Sequence, residues 1–140
     1  MRILINKSIF SSIIVQGIGE YPREACGILG GERGNFEFII KEFYPAKNIA
    51  FFPEKEFFIN PIDEIRIFKE LDKKSLEFVG IYHTHPEGEL YLSERDIEKM
   101  LSHICYIVIS LRLSNTSVSL GMKAYFKKDN EIIDLPINFF

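Results

Sequence analysis

The run from Glu77 to His83, followed by Thr84-His85-Pro86, leaves this chain the fewest ways to fold. Phe78, Val79, Ile81 and Tyr82 make a nearly continuous apolar stretch of strand length, which reads as a buried strand. Pro86 has no N–H to give to a ladder, so the strand ends there and a loop opens the sheet to solvent. Side chains alternate along a strand, so His83 and His85 project from one face while Thr84 points from the other. Two imidazoles side by side at an open strand end have the geometry to chelate a metal ion, with a merely solvated pair as the rival reading of that spacing.

The remaining elements supply a sheet for that strand to join. Arg2–Ile5 reads as a short strand, and Ile9, Phe10, Ile13, Ile14 and Ile18 then recur at helical spacing over residues 7–19. Gly19 and Pro22 stop this helix, and Ala25–Leu29 forms an apolar strand ending in a turn at Gly30-Gly31. Phe36–Tyr44 follows as a β-branched and aromatic strand after a hairpin connection, and Phe57–Ile59 as a shorter one. Asn60-Pro61 opens a second helix, with Asn as cap, Pro at the first helical position and acids in the first turn. Ile62, Ile65, Phe68 and Leu71 are expected on its buried stripe. A third helix is predicted over Ser93–Leu101, and strands over Tyr106–Leu111, Val118–Phe126 and Ile132–Leu135. Strands and helices interleave without a repeat or a linker, which predicts an α/β domain over 1–140 with a mixed sheet and helices packed on its faces.

Composition sets the class of task. With 140 residues, 46% of them apolar, the chain has enough material for one core and is not a disordered segment. Seventeen basic against twenty acidic residues, a net charge of −3, give no basic stripe for nucleic acid and no polybasic anchor for a membrane. No stretch reaches the roughly 20 apolar residues of a membrane span, so a cytoplasmic protein is expected. Cys26 and Cys105 belong to no C-x-x-C pair; each lies in an apolar run and reads as a small buried hydrophobe, although one disulfide stays open. The terminal Phe139-Phe140 pair suits packing on the chain's own core or on a second copy, so a homodimer is allowed.

A chelating pair needs a third ligand. Asp96 is the candidate, because a loop of about ten residues returns the chain from Pro86 to the start of a helix whose first turn faces the two histidines. Two His and one carboxylate leave one tetrahedral vertex to water, the pattern of a catalytic rather than a structural zinc, which lowers that water's pKa to about 7. A hydrolase also needs a general base, and Glu24, just before the strand at Ala25, is the best placed of the acids. Ser93-x-x-Asp96 has a rival reading as a capping box, and the two readings look exclusive: an Asp that ligates metal is not expected to serve as a reciprocal cap. His103 shares no face with the pair and reads as structural or exposed.

Glu24, then His83-Thr84-His85-Pro86, then seven residues from Pro86 to Leu92, then Ser93 and Asp96, resemble the signature of the JAMM, or MPN-type, zinc metalloprotease family. Glu24–Gly30 is similar to the segment that carries that family's catalytic Glu. Asn48-Ile49-Ala50 through Pro53, with Phe57, Ile59, Asn60 and Pro61, resembles a stretch of its short prokaryotic members. The resemblance covers roughly residues 2–125. It implies an MPN-like fold of cytidine-deaminase-like architecture, and Zn²⁺ held by His83, His85 and Asp96. It also implies Glu24 as general base and then acid, and Ser93 as an oxyanion donor. The implied substrate is a peptide or isopeptide bond at the C-terminal tail of a ubiquitin-like modifier or sulfur-carrier protein. The short Glu87-Gly88-Glu89 loop lacks the bulky residues of eukaryotic relatives, which argues against strict ubiquitin specificity. The rival within the fold is a non-catalytic MPN scaffold, against which the intact ligand set counts. A DNA-related role like that of RadC proteins lacks a basic stripe, and a nucleoside deaminase lacks its H-x-E and P-C-x-x-C motifs.

Overall fold

A computed structural model describes residues 1–140. In chain order the elements are β1 (Arg2–Ile5), α1 (Lys7–Glu20), β2 (Cys26–Arg33), β3 (Glu37–Ala46), α2 (Pro61–Lys73) and β4 (Glu77–His85), then α3 (Glu94–Lys99), β5 (Cys105–Leu113), β6 (Val118–Lys128), β7 (Glu131–Leu135) and β8 (Ile137–Phe139). The strands form one eight-stranded mixed sheet in the order β7-β6-β5-β4-β2-β3-β1-β8. β4 and β5 run parallel, with α3 in the crossover between them; β1 is parallel to both β3 and β8, and the other pairs are antiparallel. The edge strands β7 and β8 are separated in sequence only by Pro136, so the sheet curls until its two ends meet. α1 fills the inside of that curl: Ile13 and Ile14 join Ile3, Ile5, Leu29, Tyr82, Ile107 and Phe126 in the largest core cluster. α2 covers the opposite face, through Ile67 and Leu71 against Ile28. No helix is long and apolar enough to cross a membrane.

Three local expectations are corrected, and one strand is added. Gly30-Gly31 is not a turn; β2 runs on to Arg33, and its ladders shift register at these glycines. A Cβ on Gly31 would lie 1.8 Å from the Ile39 carbonyl oxygen, so the sheet bends where only glycine lets two backbones approach. Phe57–Ile59 is not a strand: its pairing is a single bridge between Asn48 and Ile59, because a side chain, that of Asn48, takes the Phe58 N–H. On α2, Ile62 and Ile65 are exposed at 76% and 59% while Ile67 is fully buried. The apolar positions of that helix fit two overlapping stripes, and docking on Ile28 selects the one through Ile67 and Leu71. β8 had no prediction at all, since three residues after a proline carry no periodicity of their own; it exists because β1 offers it an edge. Cys26 and Cys105 are both buried and both free.

Candidate metal centre

β4 is flanked by β2 and β5, so its C-terminal end is held on both sides. His83 lies opposite Cys26 in the antiparallel β2–β4 register, and carrying that register two residues further sets Glu24 opposite His85 on the same face. Thr84, between the histidines, points to the other face and fixes this alignment. Its Oγ1 accepts from the Ala25 N–H at 2.8 Å, and its own N–H donates to the Ala25 carbonyl at 2.9 Å. Gly17 of α1 packs against its methyl group, where a Cβ would stand only 3.1 Å away.

Asp96 arrives from the first turn of α3. The Nε2 atoms of His83 and His85 are 3.0 Å apart, and each lies 3.1–3.2 Å from Asp96 Oδ2. The candidate donor atoms of Glu24, His83, His85 and Asp96 all fall within 4.8 Å of one another, and the four residues are 0–8% exposed. His85 Nδ1 donates to the Glu89 carbonyl at 3.0 Å. A carbonyl can only accept, so Nδ1 carries a proton, and the ring when neutral leaves its Nε2 lone pair to the cluster. The His83 ring is stacked on Phe57, with centroids 4.5 Å apart.

Asp96 caps its helix and also faces the two imidazoles. Its Oδ2 accepts the Ser93 N–H at 2.9 Å while Ser93 Oγ accepts the Asp96 N–H at 3.0 Å, a complete capping box, and the same oxygen faces both imidazoles. Capping does not take Oδ2 away from the cluster, because a carboxylate oxygen keeps a lone pair after accepting one N–H. The cap orients Oδ2 toward the two histidines.

Electrostatics set the four groups apart. Burial pushes the Glu24 carboxyl up from its ordinary 4.5 to about 8, with His85 pulling it down and the Asp96, Glu89 and Glu56 charges adding to the rise. For Asp96, burial works upward too, but hydrogen bonds to His83 and His85 overcome it and hold the group well below the carboxylate range. Burial lowers His83. On His85 burial is outweighed by the Asp96 hydrogen bond and by the Glu24 and Asp96 charges, so its pKa is raised. Glu24 Oε1 and His83 Nδ1 are buried with no hydrogen-bond partner. His103 is exposed, away from the cluster.

The sequence reading gave no role to Asn48, which is 3% exposed and holds Glu24 in place. Its Nδ2 donates to the carbonyls of Glu24 at 2.9 Å and Glu56 at 3.0 Å, with Pro53 at 3.4 Å, and its Oδ1 accepts from the N–H groups of Ala50 and Phe58 at 3.0 Å. Glu24 N–H in turn donates to Pro53 O at 2.7 Å. The only signal available was the Asn48-Ile49-Ala50 stretch itself. With each buried hydrogen bond worth ~1 kcal/mol, Asn48→Ala should destabilise the fold by about 2–4 kcal/mol in chemical denaturation. A loss below ~0.5 kcal/mol would mean that the loop is held by something else.

A match to the family model described as prokaryotic homologs of the JAB domain, Prok-JAB, covers residues 6–122. The chain is 27% identical over 89 residues to a probable TtuB-protein conjugate cleaving protease of Thermus thermophilus, a span of 64% of this chain and 57% of that protein. It is 28% identical over 92 residues to a desampylase of Haloferax volcanii, a span of 66% and 65%. The matched span is thus under two thirds of each relative's length. Among solved structures, the protein DSY2949 of Desulfitobacterium hafniense superposes with a TM-score of 0.84 at 23% identity, covering 99% of this chain and 92% of that one. A protein of Salinibacter ruber gives 0.66 at 19%, covering 98% and 90%. At these identities the two structures attest the fold alone.

Proposed function

Because the chain belongs to the family of prokaryotic homologs of the JAB domain, we propose that residues 1–140 form one cytoplasmic zinc metalloprotease domain. It would hydrolyse peptide or isopeptide bonds at the C-terminal tail of a ubiquitin-like modifier or sulfur-carrier protein. The observation that carries this reading is the buried convergence of Glu24, His83, His85 and Asp96. The names of the two relatives, a conjugate-cleaving protease and a desampylase, support the substrate class. Architectural kinship with cytidine-deaminase-like enzymes belongs to the same proposal, without their reaction, since the deaminase motifs are absent from the sequence.

The donor set suits zinc. With its Nδ1 proton on the Glu89 carbonyl, neutral His85 offers its Nε2 lone pair, and that atom, His83 Nε2 and Asp96 Oδ2 stand 3.0–3.2 Å apart. Those separations are close to the ~3.3 Å edge of a tetrahedron with zinc bonds of about 2.0–2.1 Å, so a cation among them would satisfy all three. His83, His85 and Asp96 would hold it. Zinc, when bound, supplies a Lewis acid that polarises the scissile carbonyl and makes a water acidic enough to attack at neutral pH. Glu24 takes the water's proton on its unpartnered Oε1 and delivers it to the departing amide nitrogen. Ser93 Oγ accepts the Asp96 N–H, which leaves its own O–H free to donate to the carbonyl oxygen as that oxygen becomes negative. Asn48 fixes the reach of Glu24 through the main chain.

The test is to purify the protein, count zinc, and assay cleavage of a linear ubiquitin-like fusion with and without chelator. About one zinc per chain and chelator-sensitive cleavage are expected. Full zinc without cleavage of any tail substrate would favour the non-catalytic scaffold.

A further inference from the structure

The four converging side chains stand between two cavities of opposite character that share no residue. On the side of His83 and Asp96 lies a cavity of about 260 Å³ walled mainly by Phe57, Phe58, Ile59, Ile81, Leu101 and Tyr106, with Glu64 and Lys99 also on its lining. On the side of Glu24 and His85 lies one of about 210 Å³ whose lining is polar apart from Pro86. There Ser93, Glu54, Glu87 and Glu89 are met by one cation, Lys55. The acids alone would mean little, but Glu24, 4% exposed and with an unpartnered oxygen, also lines this second cavity.

Resting on the hydrolytic reading above, we propose that substrate crosses the site in one direction. An apolar side chain of the acyl segment fills the Phe58–Leu101 cavity, and the amine segment, lysine-bearing and cationic, leaves past Glu54, Glu87 and Glu89. The direction follows from the proton. Hydrolysis breaks the C–N bond and forms a C–O bond from water; one water proton stays with the acid product and the other ends on the amine nitrogen. The group that delivers the second proton must lie beside the leaving nitrogen, and Glu24 belongs to the acidic cavity. The acyl chain is therefore directed to the other side, past His83. A cavity of about 260 Å³ is smaller than the roughly 300–1,000 Å³ of whole-ligand pockets and suits one side chain. A freed amine is a cation at neutral pH, and the surplus of acid at the second mouth favours it.

The experiment is backbone-amide NMR on the zinc-loaded full chain with two product-like probes. The first is a set of Gly/Ser pentapeptide acids with one leucine walked along the chain; the second is a lysine-rich peptide amide. The leucine peptide in its best register should shift Phe58 and Leu101, and the lysine peptide Glu54 and Glu87. Leu101→Asp should weaken the first about tenfold, since the leucine would then meet a carboxylate in place of an apolar wall. Glu87→Lys should weaken the second about tenfold at low salt and less at high salt. Shifts from both peptides in one cavity, or in exchanged cavities, would overturn the proposal, as would a leucine-to-aspartate change in the first peptide that leaves its affinity unaltered. Turnover separates the two levels. Peptides seated as described with no cleavage of any tail substrate would reject the hydrolytic reading and leave the cavities assigned. Cleavage indifferent to the acyl leucine and to the leaving lysines would reject the direction and leave the hydrolase.

Discussion

Glu24→Gln is expected to keep about one zinc per chain and to lose turnover by about 10²–10⁴-fold, the range supplied by a positioned general acid–base group. The substitution keeps the shape of the side chain and the main-chain bonds that Asn48 and Pro53 make to residue 24, and removes only the ionisable oxygen. A second consequence can be read without substrate. In the metal-free protein the folded state keeps the Glu24 proton up to about 8, whereas an unfolded chain releases it near 4.5. The folded state then binds more protons across that window. The stability Glu24 contributes is fully present below pH 4.5 and falls as pH rises through 8. Gln titrates nowhere, so the metal-free variant should gain on the metal-free wild type between pH 5 and pH 8 in parallel denaturant titrations. Full activity of the variant would remove Glu24 from its role; a constant stability difference across that window would show that its carboxyl is not held protonated.

Removal of a ligand is the second large effect. His83→Ala and Asp96→Ala should each reduce bound zinc from about one per chain to a small fraction, and activity with it. Zinc bound by the folded state alone should stabilise the wild type by about 2.7 kcal/mol at a hundredfold excess over Kd, and neither variant should gain this in a thermal scan. Asp96→Ala also removes the N3 acceptor of the capping box, so before metal is added it should be about 1 kcal/mol less stable than Asp96→Asn, which keeps that acceptor. Asp96→Asn separates the two duties of that residue: an amide oxygen still accepts the Ser93 N–H but no longer offers an anionic ligand. The cap should survive while zinc affinity falls. Wild-type zinc content in His83→Ala or Asp96→Ala would refute the ligand assignment.

The site was legible where chemistry depends on local spacing. His83 and His85 share a face because strand side chains alternate, Pro86 ends the strand, and Ser93 caps the helix that carries Asp96; each follows from residues close in sequence. Glu24 was placed only by its proximity to an apolar run and by family resemblance, and the β2–β4 register shows why that position works. Asn48 was not legible at all. Its importance lies in hydrogen bonds to Glu24, Pro53 and Glu56, and an asparagine among loop residues carries no periodic pattern that announces burial.

By itself the sequence determined the alternation of strands and helices, the shared face of His83 and His85 and the helix start that faces them, because these rest on backbone geometry within a dozen residues. Tertiary structure alone decided which stripe of α2 is buried, that Gly30-Gly31 bends a strand instead of ending it, and that an edge strand follows Pro136. It also decided that one oxygen of Asp96 serves cap and cluster together. These outcomes depend on what lies across the sheet or beyond the loop. A residue's own neighbours in the chain fix its direction, but only packing between distant segments fixes what it meets.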